Sequence, residues 1–307
     1  MTLPPMPPPG DYRKPWKSYD QQVVLLQSRG LMIDDPKAAA ALLAHINYYR
    51  FSGYCLTFET ARHVFAPGTR FEQVAALYEF DRILRDLVSE ALEVVEVDVR
   101  TAVAYHFGER HGAFGHVTPA AFFSGFNHAE WLEKLREESR RSSEIFIDHY
   151  KIRYREYPDL PIWTATEIMS FGGVSHMVSG MQRDDQIAIA RRYGVHSTVL
   201  GSWLHHLVYM RNLCAHHLRL WDRTASITPD VPVKVAAWKP PYLPRADRLF
   251  GTLLILNFLM GRCPSVKPFA AEWRARLAKL IDAPVPGTDP LRALGLNPNW
   301  KAHPLWR

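Results

Sequence analysis

Between Phe71 and Phe107 the chain contains no proline and no glycine, and apolar residues recur there at intervals of three and four. With nothing to break the i to i−4 hydrogen-bond ladder, this pattern predicts one very long helix or two nearly collinear ones. Such a helix needs other helices to cover its apolar stripe, and the flanking sequence has the signals for them. No stretch shows sustained strand alternation between hairpin turns. The fold class expected is therefore all-α, a helical bundle with an N-terminal helical extension.

Local signals set the expected boundaries. Ser18 with Gln21 reads as a capping box for a helix that stops near Gly30, and Asp35-Pro36 reads as the cap and first position of the next. Asn47 to Phe51 is expected to end that helix in an aromatic-rich loop. Thr69 with Glu72 reads as a capping box for the long helix. Further helices are expected at Thr118-Pro119, 128–143, 144–157, 162–171 and 185–193, after which Ser197 caps another. Five prolines between Trp221 and Pro244 exclude helix there; helices resume over 246–261 and 269–281, and an irregular tail follows Pro284. The organisation read from this is an N-terminal helical region with a proline-rich start (1–66), a main helical domain (67–264), and a C-terminal helix with an irregular tail (265–307).

With 307 residues, 47% hydrophobic and 12% aromatic, the chain can bury a large core, which excludes global disorder. Its net charge of +6 suits contact with a polyanion. Cys55, Cys214 and Cys263 are far apart and form no C-x-x-C pair, as expected in a reducing cytoplasm. Met1 to Asp11 lacks the parts of a signal peptide, and the apolar run Leu253 to Met260 is too short for a bilayer, so a cytoplasmic protein with no membrane partner is expected.

The most chemically pointed segment is Arg211-Asn212-Leu213-Cys214-Ala215-His216. On a helical wheel, Leu200, Leu204, Leu207, Cys214 and Leu218 form an apolar arc, and Arg211 falls inside it. Burying a guanidinium costs several kcal/mol unless an anion satisfies it, so Arg211 calls for an internal carboxylate, Glu96 or Asp81, or an external phosphate. His205, Asn212 and His216 share another face, with Asn212 spaced to orient the His216 imidazole. A base, an acid and a cation are the parts RNA scission requires. Because Arg211 and His216 lie five apart, about 140° around a straight helix, one phosphate is not easily held by both, and a two-fold homodimer with a composite site is expected; the alternative is a kink near Asn212 that brings one Arg211 and one His216 together.

Asp81 with Arg85, and Glu96 with Arg100, have the i, i+4 spacing of supporting ion pairs and read as surface pairs worth a few tenths of a kcal/mol. Tyr48, Tyr49, Arg50 and Tyr54 form an aromatic-basic segment that either stacks RNA bases or locks a helix end into the core. Arg136, Arg140, Arg141, Lys151, Arg153 and Arg155 make a second basic concentration, an RNA track or a solvated face. His205, His206, His216 and His217 lack a carboxylate at a ligand spacing, and no phosphate-binding glycine loop is present, so no metal and no cofactor are expected.

Arg211-Asn212 followed by His216 resembles the R-x-x-x-x-H motif of the HEPN superfamily of ribonucleases. In order along the chain, Ile46 to Tyr54, Tyr78 to Arg85, Glu96 to Arg100, Leu160 to Trp163 and Arg211 to His217 resemble the bacterial Abi-like (AbiD/AbiF-type) abortive-infection family, over roughly Lys17 to Arg223. The resemblance implies a HEPN-like helical bundle that cuts RNA without metal during phage defence or within a toxin-antitoxin system, with a cognate small non-coding RNA as partner; attack by the internal 2′-hydroxyl is expected to leave a 2′,3′-cyclic phosphate. It assigns Arg211 and His216 to the motif's defining positions and Asn212 to its polar second position. The alternative is a non-catalytic RNA-binding module that holds a small RNA and signals infection; a plain helical scaffold is a third reading.

Overall fold

A computed structural model describes residue 11 and residues 14–232 and 235–306; most of the proline-rich start lies outside them. The described residues are all-α, with thirteen α-helices and one two-stranded hairpin. They form two compact units, residues 1–79 with 285–288, and residues 80–284 with 289–307.

The first unit contains α1 (Tyr19–Ser28), α2 (Pro36–Ile46), α3 (Tyr48–Cys55), strands β1 (Glu59–Ala61) and β2 (Val64–Phe65), and residues 71–79 of α4 (Phe71–His111). The capping box forms: Gln21 N donates to Ser18 Oγ, and Ser18 N donates to Gln21 Oε1. Asp35 accepts from the amides of Lys37 and Ala38, with Pro36 opening α2. The loop expected after α2 is instead helix α3. Asn47 turns the chain with φ 70° and ψ 135°, outside the left-handed well, and its side chain caps the new helix by accepting from Tyr49 N at 2.7 Å. Phe51 then stacks on Phe71 in the core at 4.7 Å between ring centroids. The capping box expected at Thr69 and Glu72 is not formed. Thr69 Oγ1 donates to Ala66 O, and Gln73 Oε1 accepts from Arg70 N, so half of such a box exists one residue later. The hairpin is too short to leave a period-two signal.

The second unit holds the rest of α4 with α5 (His128–Arg141), α6 (Ile145–Arg153), α7 (Ile162–Ile168), α8 (Phe171–Gly180), α9 (Arg183–Tyr193), α10 (Ser197–Ala215), α11 (Leu249–Met260), α12 (Lys267–Asp282) and α13 (Pro290–Leu294). The proline-free stretch is one 41-residue helix, not two. Thr118-Pro119 leads into only a short 3-10 turn, Pro119–Ala121. The single helix expected over 162–171 ends at Ile168, because Ser170 caps a second one, its hydroxyl accepting from Gly173 N at 3.1 Å. α11, hydrophobic on every side, is buried on every side and forms the centre of this unit. Trp273 of α12 donates to the Leu87 carbonyl of α4 at 2.8 Å.

The tail after Pro284 is mostly without regular structure, as expected, but it is ordered. It contains α13 and a 3-10 turn, and it buries Trp300, His303 and Trp306. Two indole side chains remove enough apolar surface from water to order a segment that has little regular structure of its own. Among the described residues no single helix is long and apolar enough to cross a membrane.

Candidate functional site

α10 carries the Arg211 to His216 segment in its last turn and end. The cap lies one residue before the expected one: His196, not Ser197, is the N-cap, its Nδ1 accepting from Thr198 N, while Ser197 is buried as the first helical residue. Leu200, Trp203, Leu204, Leu207, Met210 and Cys214 bury one side of α10.

The helix ends in a Schellman motif. His217 N donates to Cys214 O and Leu218 N to Leu213 O, both at 2.9 Å, with His217 in the left-handed region at φ 54°. Glycine is usual there; a histidine costs about 1 kcal/mol or more in backbone strain. His216 is therefore the C-cap, exposed at the helix end, with its amide donating to Asn212 O at 3.0 Å. Leu218 lies beyond the helix and is exposed, so it does not extend the apolar arc.

Arg211 is not buried, as the wheel implied; its side chain is 47% exposed. Its Nε lies 4.0 Å from Glu96 Oε2, across a cleft of about 350 Å³ that is also lined by Ser89, Glu93, Arg100 and Ala215. The wheel misleads because the surface facing Arg211 across that cleft is polar at Ser89 and Glu96, not a closed apolar wall. Glu96 is engaged with Arg100, whose guanidinium also donates to the carbonyls of Thr166 and Met169. Arg211 thus faces a carboxylate already shared with another cation and keeps donor capacity toward solvent. Asn212 is exposed, and among the described residues its side chain makes no hydrogen bond to the His216 ring.

Below the motif the side chains are structural. Asp81 and Arg85 are not a surface pair: both are buried, with Arg85 Nη1 donating to Asp81 Oδ2 at 2.5 Å. Asp81 also accepts from the backbone amides of Leu220 at 3.1 Å and Trp221 at 2.7 Å, so one carboxylate holds the chain that leaves the motif. Burial pushes the Cys214 thiol up to about 11, with Ser89 and Arg85 close enough to oppose that shift. Such a thiol stays protonated and unreactive.

The proline-rich segment after Trp221, whose role the sequence leaves open, runs back along α10. Ser226 N donates to Tyr209 Oη, the Ile227 carbonyl meets His206 Nδ1 at 2.6 Å, and Trp203 Nε1 donates to Asp230 O at 2.8 Å. His206 also meets Thr252 Oγ1 through Nε2 at 2.8 Å. Burial lowers its pKa, so the ring is a neutral structural link: Nδ1 donates to the carbonyl and Nε2 accepts from the hydroxyl.

In the first unit, the aromatic-basic segment mostly faces inward. Tyr54 is buried edge-on against Tyr78, Tyr48 is half-buried with its hydroxyl accepting from Arg29 at 2.8 Å, and Tyr49 alone of the three tyrosines is largely exposed. Arg50 is part-buried. In the second basic concentration, Arg136 pairs with Asp159, Arg140 with Glu133, Arg141 with Glu137 and Lys151 with Asp148. Sequence reading missed Asp81 as a backbone anchor and the lacing of the proline-rich segment. The Asp81 contact spans 139 residues, beyond any local spacing rule.

No curated protein and no solved structure matches the chain. Residues 41–222, more than half of the chain, match the family model of Abi-like proteins, an interval that holds the long helix, the buried Asp81–Arg85 anchor and the Arg211 to His216 segment and stops where the proline-rich return along α10 begins. By that match, the chain belongs to the Abi-like family.

Proposed function

We propose that the protein is a metal-independent endoribonuclease of the HEPN type, acting in abortive infection or as the toxin of a toxin-antitoxin pair under control of a small RNA. The observation that supports this best is the half-exposed Arg211 guanidinium beside a cleft, on the same helix end as the exposed His216. A buried pair such as Asp81–Arg85 has no access to a polyanion; Arg211 has. His216 moves the proton of the 2′-hydroxyl or of the leaving 5′-oxygen, Asn212 contributes a polar contact at the same site, and Arg211 stabilises the phosphorane charge. Two copies about a two-fold axis supply base and acid from different chains.

The test is incubation of the purified protein with end-labelled RNA in EDTA. Cleavage leaves a 2′,3′-cyclic phosphate, and replacing the scissile 2′-hydroxyl by hydrogen stops it. His216→Ala abolishes cleavage while RNA binding and the melting curve are retained. A strict magnesium requirement, or cutting of the 2′-deoxy substrate, refutes the mechanism; binding without any cutting by the unaltered protein points to the non-catalytic RNA module.

A further inference from the structure

A second cleft, of about 500 Å³, lies farther along α4, where Thr101, Tyr105, Gly108 and Glu109 face Trp163 and Glu167 of α7. Its walls are unusual for solvent-facing surface. Trp163 is 54% exposed and Tyr105 66% exposed, although large aromatics normally bury most of their area. Trp163 is nonetheless held in place: Ile162 beside it is fully buried, and Ile162 N donates to Ala113 O at 2.8 Å.

The cleft floor is Gly108, inside α4, where glycine costs about 1 kcal/mol relative to alanine. A Cβ there would lie 3.3 Å from the Ile162 side chain and 3.8 Å from the six-membered ring of Trp163. The glycine lets α7 approach α4 closely and sets the indole over the cleft.

The cleft also carries two carboxylates. Glu109 and Glu167 are exposed, and among the described residues neither makes an ion pair. Nearby arginines are engaged elsewhere: Arg100 with Glu96 and two carbonyls, Arg110 with Asp184 and Asp185, and Arg141, which lines a neighbouring cleft together with Glu167, with Glu137 at 3.6 Å. Two exposed electron-rich rings that line one cleft with two carboxylates make a receptor for an organic cation. A phosphate backbone is disfavoured by the same carboxylates.

The geometry points to this cleft as the docking site for an arginine side chain on a basic segment of a partner protein. Arginine fits better than lysine, because its planar guanidinium stacks on an aromatic face while its N–H groups reach a carboxylate in bidentate fashion. The protein as a whole carries a charge of +6, so this acidic, aromatic cleft is a local exception that selects a partner of opposite sign.

The site is tested by fluorescence anisotropy with a labelled peptide of alternating arginine and glycine, against a lysine-glycine counterpart. The full-length protein binds the arginine peptide more tightly. Trp163→Ala weakens that binding about threefold to thirtyfold, the range of a lost cation–π contact. The Glu109→Gln, Glu167→Gln double variant leaves the aromatic packing intact and also weakens binding, so a folding defect of the tryptophan variant does not decide the result. Unchanged peptide binding in both variants overturns the proposal. Weakened binding of a labelled single-stranded RNA with unchanged peptide binding overturns it too, and assigns the rings to base stacking.

Discussion

Asp81–Arg85 and Glu96–Arg100 are encoded on one helix at the same spacing with the same order of charges, yet the fold uses them differently. The first pair is sealed in the core and clamps the backbone at Leu220 and Trp221. The second lies at the rim of a cleft, ties α4 to the end of α7, and leaves Glu96 within reach of Arg211. Spacing on a helix fixes which side chains can meet; burial depends on what the rest of the chain lays over them. The same charge pair is an anchor in one place and the wall of an open site in the other.

Asp81→Ala has the largest expected effect. The change strands the Arg85 guanidinium in the core and removes the acceptor of two buried amides, so unfolding should become about 3–5 kcal/mol easier. Chemical denaturation followed by tryptophan fluorescence measures this. A loss below about 1 kcal/mol would mean that the pair is no more than the surface bridge its spacing suggests.

Arg100→Ala has the middle effect. It removes donors from the Thr166 and Met169 carbonyls and leaves Glu96 to Arg211 alone. Because the pair is only part-buried, water can replace some of these contacts, and the loss should be about 1–3 kcal/mol in the same denaturation experiment. A loss equal to that of Asp81→Ala would erase the distinction between the two pairs.

How much of this was legible beforehand follows the same line. The long helix, the all-α class, the caps at Ser18 and Asp35 and the i, i+4 pairings are local and were readable from sequence. The helical wheel placed Arg211 in a buried arc because it assumed a facing apolar surface along the whole of α10, where α4 presents Ser89 and Glu96. The amide contacts of Asp81 and the return of residues 226–230 along α10 depend on pairings between distant segments, which no window of sequence contains. The irregular character of the tail is legible, whereas the burial of Trp300 and Trp306 depends on distant segments and is not.

The smallest stability effect and the sharpest contrast come from Arg211→Ala. Its side chain is half exposed, its Nε lies 4.0 Å from Glu96 Oε2, and Glu96 keeps Arg100 when it goes. Solvent screening discounts such a pair, so the melting curve should move by no more than about 0.5 kcal/mol. If the guanidinium serves RNA cleavage, activity should nonetheless be lost, and Arg211→Lys should recover it poorly, because lysine keeps the charge without the planar fork that grips phosphate. A residue that contributes almost nothing to folding and almost everything to turnover is the opposite of Asp81, which can abolish activity only by unfolding the chain. Single-turnover RNA cleavage at a temperature where both variants are folded separates these cases. An Arg211→Ala protein that cuts at the unaltered rate would leave Arg211 a surface charge and remove it from the proposed chemistry, while a variant that fails to fold would place it with Asp81 as an anchor.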